Sequence, residues 1–196
     1  MGEPTAVPRS STRERLVTAA VELVAEAGWG GATTRGVAER AGLNQALVHY
    51  HFGTMSALLR EAAYRAMAAT LEPAMLGLLD SGDPLGGLRG VVDAVGAIDP
   101  DSSEARTLIE ATVQAIRDPE LNASLSQMLA LFRSTLRDRL TAAQAEGSIR
   151  AGFDPKGGAV VLAALLDGLV LHRLIDRDVD LEAAASALFA LLGPPA

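Results

Sequence analysis

A stretch near the amino terminus, TTRGVAERAGLNQALVHYHF from Thr33 to Phe52, constrains the fold more than any other part of the chain. The threonine pair at its start is placed to cap a short helix, and Gly42 supplies the left-handed backbone that ends that helix. Asn44 is placed to cap a second helix, which begins at Gln45. The pattern therefore predicts two short helices around a tight turn, the helix-turn-helix arrangement.

The second of these helices has two different faces. Val48 and Phe52 lie four residues apart and are predicted to face the core. The opposite face carries side chains that can enter a groove of DNA, namely Gln45, Ala46, His49 and Tyr50. An α-helix fits the major groove of DNA, so this face predicts a nucleic-acid interface.

Each candidate contact has a chemical reason. The small Ala46 allows a close approach to the bases, the Gln45 amide suits adenine, and Leu47 at the border suits a thymine methyl group. Contacts to phosphate and sugar are expected from His49, Tyr50 and His51, and from Thr34 and Arg35 on the first helix. The alternative is an ordinary helical hairpin, with Arg35 as a solvated charge and His51 as a packed histidine.

The run from Ser11 to Leu59 resembles the amino-terminal domain of the tetracycline-repressor (TetR) family of transcriptional regulators. The similar segments are the amphipathic RERLVTAAVELVAEAGWGGATT, the hairpin, and FGTMSALL, which opens a fourth helix. The family usually has tyrosine in place of His49 and lysine in place of Met55, and both commonly contact the DNA backbone. The resemblance implies a DNA-binding dimer in which a small molecule enters the carboxyl-terminal domain, moves the fourth helix and releases the DNA.

Composition agrees with an all-helical protein. Of the 196 residues 49% are hydrophobic and only 4% aromatic, so the core must consist mainly of leucine, valine and alanine. The chain has no cysteine, which excludes disulfides and thiolate metal sites. Its net charge is −7, but residues 1–60 hold six arginines and five glutamates, so the acidic excess lies beyond them. A near-neutral DNA-binding domain on an acidic body remains compatible with DNA binding.

Helix-start signals predict about nine helices and no strand. Ser11 and Glu14 form a capping box, and Asp-Pro pairs at 83–84, 118–119 and 154–155 each place a capping acid before a proline. We predict a disordered arm at 1–10, a three-helix helix-turn-helix domain at 11–53, and a helical ligand-binding and dimerisation domain at 54–196. In the last of these, the fourth helix is predicted over Thr54–Leu71. An apolar stripe is predicted on a later helix from Ala105, Leu108, Ile109, Thr112 and Ile116.

The segment from Pro155 to about Ile175 is apolar almost all round, so it must be covered on more than one side. Asp167, His172 and Arg173 interrupt it, which leaves less than the ~20 apolar residues of a membrane span. We therefore predict that it packs in its own subunit and against a second copy, forming a four-helix bundle with the final helix. The two DNA-binding domains of the dimer, ~34–36 Å apart, would then contact a palindromic operator on double-stranded DNA.

The remaining predictions concern ligands and location. Positions that could line an effector pocket are Met67, Thr70, Thr112, Met128, Phe132 and His172, although such methionines and phenylalanines are usually plain core. They favour a hydrophobic or amphipathic effector. No catalytic residue, cofactor or metal site is predicted, because the three histidines lack carboxylate or cysteine neighbours. No signal peptide is visible in MGEPTAVPRS, so we expect a cytoplasmic protein.

Two alternatives stay open. One is a DNA-binding dimer that has no small-molecule inducer. The other is a helical-bundle enzyme that works through Glu110, Asp167 and His172, which would turn over a substrate and ignore DNA.

Overall fold

The computed structural model describes residues 11–80 and 83–192, so the predicted arm at 1–10 lies outside the described residues. Over the described residues the chain is all α, with nine α-helices, one short 3-10 turn (Trp29–Gly31) and no strand. The helices are α1 Thr12–Ala27, α2 Thr34–Ala41, α3 Ala46–Phe52, α4 Met55–Asp80, α5 Pro84–Ala97, α6 Ser103–Ala115, α7 Pro119–Ala145, α8 Pro155–Ile175 and α9 Leu181–Leu192.

The predicted capping residues start their helices. Ser11 and Glu14 form a reciprocal capping box at α1. Asp83, Asp118 and Asp154 each accept two backbone N–H groups at the starts of α5, α7 and α8, and each is followed by proline. These caps satisfy backbone donors that a helix start otherwise leaves unpaired.

Helix α4 connects two parts of the molecule. In the head, which we define as α1–α3, Leu16, Val37 and Val48 form a core that includes Leu58 from the start of α4. In the body, defined as α5–α9, the main core includes Leu78 from the end of α4. A third cluster between them joins the middle of α4 to α6 and α7. Because α4 packs in both cores, any movement of α4 displaces side chains in the head and in the body.

The fourth helix is longer than the sequence pattern predicted. It continues through Pro73 to Asp80, whereas the predicted end was Leu71. Proline removes one helical hydrogen bond and disfavours helix in the residue before it. Here Ala74 and Leu78 are buried in the body core, and this burial offsets the cost of the proline.

The predicted apolar stripe of α6 is wrong at two positions. Thr112 is exposed, and Ile116 follows the helix with 81% of its surface accessible. The buried stripe instead continues from Leu108 through Ala111 and Ala115. Alanine at these positions lets α6 lie close to α1 and α4, which larger side chains would prevent.

Helix α8 has the predicted bounds and two apolar faces. Its inner face, with Leu162, Leu166 and Val170, fills the body core. Its outer face exposes apolar side chains, namely Val160, Val161, Leu165, Leu171 and Ile175. By length and composition alone α8 is the single helix in the described part of the chain that could cross a membrane. The apolar composition of α8 also has an explanation without a membrane, because its inner face packs in the body core.

Candidate nucleic-acid interface

Helices α2 and α3 are fixed by local hydrogen bonds. The Thr33 hydroxyl accepts from the Gly36 N–H at 3.1 Å and caps α2. Gly42, with φ of 64°, adopts the left-handed conformation and lets the chain turn. The Asn44 side chain accepts from the Ala46 N–H at 2.8 Å, so α3 begins at Ala46. The helix begins one residue after the predicted start. Gln45 precedes it without a side-chain cap, and the Asn44 side chain binds the N–H of its first residue.

The structure brings the predicted base-contacting residues together on one exposed surface. Val48 is fully buried and Phe52 partly buried, which anchors one side of α3 in the head. The other side exposes Gln45, Ala46, His49 and Tyr50, with 81% of Tyr50 accessible. Leu47 lies at the edge and partly packs against the head core. A surface of this kind presents amide, imidazole and phenol groups to a groove.

The two histidines of α3 differ in their surroundings. His49 is exposed, and its Nδ1 lies 3.1 Å from the Gly53 carbonyl oxygen. In the neutral tautomer in which Nδ1 donates to that oxygen, Nε2 is free to bind another group. His51 is partly buried, and its ring meets those of Tyr50 and Phe52 edge-on. His49 is thus available to a ligand, whereas His51 contributes to packing.

Ion pairs engage several arginines of the head. Arg35 on α2 donates to Glu39 at 2.7 Å, and this pair raises the pKa of Arg35. Arg40 pairs with Glu26. Thr34, the first residue of α2, is half-buried beside Arg35. The spacing of four residues between Arg35 and Glu39 was a signal in the sequence, since such pairs meet on a helix surface.

Two of the candidate effector residues line a groove between α4 and α7. Met128 and Phe132 form part of this groove, which has a volume of about 160 Å³. Side chains from both helices complete it, none of them indicated by the sequence pattern: Tyr64, Ala68, Leu71, Glu72, Met75 and Leu131. Glu72 and Met75 were missed because α4 was predicted to end before them.

The other effector candidates lie elsewhere. Met67 is buried in the core, and the Thr70 hydroxyl donates to the Ala66 carbonyl at 3.2 Å. Thr112 and His172 are exposed, so the prediction that they face inward is wrong. On both helices the face that is buried is decided by neighbouring helices, which a periodic pattern does not identify.

The residues of the enzyme alternative are not assembled as a site. Glu110 on α6 accepts from the Trp29 N–H at 3.2 Å, which is a structural contact between the body and the end of α1. Asp167 and His172 are five residues apart on α8, and both are exposed. Among residues 11–80 and 83–192, no group of three or more His, Asp or Glu side chains is placed to bind a metal ion.

Comparison with known families covers both parts of the chain. Residues 16–62 match the model for bacterial regulatory proteins of the tetR family. Residues 84–193 match the model for the carboxyl-terminal domain of BetI-type transcriptional repressors. A search of curated proteins found no match.

Solved structures share the whole architecture. A transcriptional regulator from Streptomyces coelicolor A3(2) is 27% identical, with a TM-score of 0.74, over 93% of this chain and 99% of that one. One from Rhodococcus sp. Rha1 is 26% identical, with a TM-score of 0.78, over 93% and 96%. A regulator from Saccharomonospora viridis, solved in complex with choline, has a TM-score of 0.79 over 93% and 96%; at 21% identity it shows the shared fold alone.

Proposed function

This chain belongs to the TetR family of bacterial transcriptional regulators, and we propose that it is a cytoplasmic repressor released from a palindromic operator by a small effector. Members of the family are transcription factors, which excludes the enzyme built on Glu110, Asp167 and His172. In this proposal residues 11–53 bind DNA as part of a homodimer. Residues 54–196 bind the effector and join the two subunits.

The observation that carries DNA binding is the exposed polar face of α3. Burial of Val48 holds the helix in the head, while Gln45, His49 and Tyr50 remain free on the outside. These side chains have no role in the core, and their chemistry suits contacts to base edges and phosphates. Thr34 and Arg35, at the start of α2, are proposed to contact the DNA backbone.

The outer face of α8 supports the homodimer. Val161, Leu165 and Ile175 are exposed there, and Leu191 of α9 is also exposed. Several exposed apolar side chains on one helix face are expected at a protein interface. Pairing α8 and α9 with those of a second copy would cover it with a four-helix bundle and place the two heads to meet successive major grooves.

The groove between α4 and α7 is the proposed effector site. Its lining is mainly apolar, with the phenol of Tyr64 and the carboxylate of Glu72 at hand. No hydrogen bond or ion pair engages Glu72 within the described part of the chain. Because the Saccharomonospora viridis regulator was solved with choline, a small organic cation is the first effector to test. Such a cation would match a groove whose lining includes both a carboxylate and aromatic rings.

Selection of bound duplexes from a random DNA pool tests the proposed operator. We expect a palindrome whose half-site centres lie ~10 base pairs or a multiple apart. Tyr50→Ala should weaken binding to the recovered operator without changing the melting temperature. Ile116→Ala is the matched control, because Ile116 is equally exposed but lies beyond the end of α6. Failure to enrich any sequence would contradict the proposal.

Sedimentation tests the dimer separately. Leu165→Glu should place a charge in the α8 interface and yield monomers at micromolar concentration. Leu76→Glu introduces the same charge at an exposed leucine of α4 and should leave the dimer intact. A monomeric wild-type protein, or dimerisation unaffected by Leu165→Glu, would refute the proposed interface.

Thermal melting tests the effector. Choline is compared with its neutral analogue 3,3-dimethylbutan-1-ol and with a panel of lipophilic compounds. An effector should raise the melting temperature in proportion to the logarithm of its concentration and should also release the operator. Tyr64→Ala should reduce this shift, whereas Ile116→Ala should not. Operator binding with no response to any compound would favour the second candidate, a dimeric regulator without a small-molecule inducer.

A further inference from the structure

We propose that an ion pair between Arg60 on α4 and Asp118 at the start of α7 sets the angle at which the head is held against the body. The pair would thereby act as a positioning device for DNA binding. Its functional consequence rests on the proposed DNA-binding function, but the angle itself is a property of the single subunit. It is therefore measurable without DNA or effector.

The contact is short and partly buried. Arg60 Nε donates to Asp118 Oδ2 at 2.8 Å, and Arg60 Nη1 donates to Glu120 Oε2 at 2.6 Å. The Arg60 side chain is 29% exposed and that of Asp118 only 14%, whereas Glu120 is 76% exposed. Shielded, charge-assisted hydrogen bonds are stronger than exposed ones. Asp118 is therefore the principal partner of Arg60.

Asp118 is itself fixed by the body. Its second oxygen, Oδ1, accepts from the N–H groups of Glu120 and Leu121 at 3.0 and 3.1 Å and so caps α7. Its own N–H donates to the Gln114 carbonyl at 3.0 Å, which closes a tight corner between α6 and α7. Leu121 is fully buried immediately after that corner. The carboxylate thus holds Arg60 against a rigid point rather than against a mobile loop.

A second polar contact between the body and the head joins a different pair of helices, α6 and α1. Two attachments at different places restrain rotation of the head relative to the body. The Thr107 hydroxyl on α6 donates to the Val21 carbonyl on α1 at 2.9 Å in a fully buried position. Apolar packing of α4 on α6 and α7 and the Trp29–Glu110 hydrogen bond also attach the head. The Arg60–Asp118 pair adds a directed polar attachment between α4 and α7, and we infer that it narrows the range of head angles that this packing leaves open.

The same pair closes one end of the seam between α4 and α7. Met128, which lines the effector groove, follows Asp118 by ten residues, or about 15 Å along α7 at 1.5 Å per residue. A molecule that widens the groove would therefore separate α4 from α7 on the groove side of the Arg60–Asp118 pair, while the pair itself stays in place. The displacement would turn α4 about Arg60 and carry the head with it.

Spin labels on one chain test the inference. The chain has no cysteine, so Gln45→Cys and Gln127→Cys place one label on the head and one on α7 without further changes. Labelled protein is mixed with an excess of unlabelled protein, so that each chain reports only its own head-to-body distance. The distribution of distances is measured by double electron–electron resonance for the wild-type background and for variants of the pair.

The variants separate positioning from folding. Asp118→Asn removes the charge but keeps a good capping side chain, and Arg60→Gln keeps most of the aliphatic stem. Arg65→Gln is the control, because Arg65 lies on the same helix but donates to Thr18 on α1 and not to the body. Circular dichroism and thermal melting confirm that each variant is folded.

We expect the width of the distance distribution to at least double in Arg60→Gln and in Asp118→Asn, and to remain unchanged in Arg65→Gln. The double variant should be no broader than either single variant, because both remove the same contact. A width and mean equal to those of the wild type in both single variants would overturn the inference, even if their melting temperatures fell. A monomeric protein would contradict the proposed dimer and still yield this measurement.

Discussion

Replacing Thr107 by valine tests how strongly the head is attached to the body. Within residues 11–80 and 83–192, Thr107 is the one polar side chain that is buried, and its hydroxyl donates to the Val21 carbonyl of α1 at 2.9 Å. Valine has nearly the same shape and is also branched at Cβ, so packing and helix propensity change little. Val21 lies inside α1, so its carbonyl keeps its helical partner.

The substitution therefore removes about one net hydrogen bond, or about 1 kcal/mol of unfolding free energy. For a chain of this size that corresponds to a melting temperature lower by ~2–4 °C. The free energy of unfolding is measured by urea denaturation followed by circular dichroism. A smaller loss of unfolding free energy would mean that burial of the new methyl group offsets part of the lost hydrogen bond.

Thr112→Val supplies the control on the same helix. Thr112 is exposed, and its hydroxyl donates to the Leu108 carbonyl of its own helix at 2.8 Å. The chemical change is identical, but no contact between helices is lost, so the unfolding free energy should stay within ~0.5 kcal/mol of the wild type. Equal effects of Thr107→Val and Thr112→Val would refute the assigned role of the α1–α6 hydrogen bond.

Three further predictions concern charge and DNA contacts. Glu39→Gln frees Arg35 from its ion pair, so the slope of log affinity for DNA against log salt should steepen by up to ~0.9; an unchanged slope would place Arg35 away from phosphate. Asp167 has one exposed edge on α8, but the apolar side chains around the rest of its carboxyl raise its pKa, and Arg133 opposes that shift, so ionised Asp167 destabilises the fold at neutral pH. Asp167→Asn should thus have a higher urea midpoint than the wild type at pH 7, and the difference should shrink as the pH falls through the folded pKa; a constant difference would contradict this. His49→Ala should weaken operator binding in a gel-shift titration and leave the melting temperature unchanged, whereas loss of folding would make His49 structural.

Helix starts were predictable because capping is a local interaction. Asp83, Asp118 and Asp154 each reach backbone N–H groups two or three residues ahead in the chain. No other part of the molecule is needed to form that contact, so the sequence alone identifies it. The exposed face of α3 was predictable for a related reason. Once Val48 is recognised as the inward residue, helix geometry places Ala46 and Tyr50 on the opposite side.

The end of α4 was not predictable from such local signals. Pro73 disfavours helix locally, and the prediction stopped before it. The helix continues because Ala74 and Leu78 find partners in the body core, which consists of residues far away in the chain. A local cost that is outweighed by distant packing leaves no trace in a short sequence window.

The choice of buried face on α6 shows the same dependence on distant residues. From Leu108 a helical stripe can continue at spacings of three or four, which leads either to Ala111 and Ala115 or to Thr112 and Ile116. Hydrophobicity favours the second route, since isoleucine is more apolar than alanine. The structure takes the first route because the close approach of α1 and α4 requires small side chains.

These differences explain why the DNA-contacting residues were identified more completely than the effector groove. All the α3 residues belong to one short helix, so their relative positions follow from the helix itself. The groove joins Tyr64 on α4 to Phe132 on α7, which are far apart in the chain and meet only through tertiary packing. Met128 and Phe132 were selected because both lie on the apolar stripe of α7. Their partners on α4, including Glu72, required knowledge that the helix continues past Leu71. The groove side chains that would select an effector therefore include residues beyond Leu71. Their position depends on the extension of α4, which is stabilised by packing in the body core.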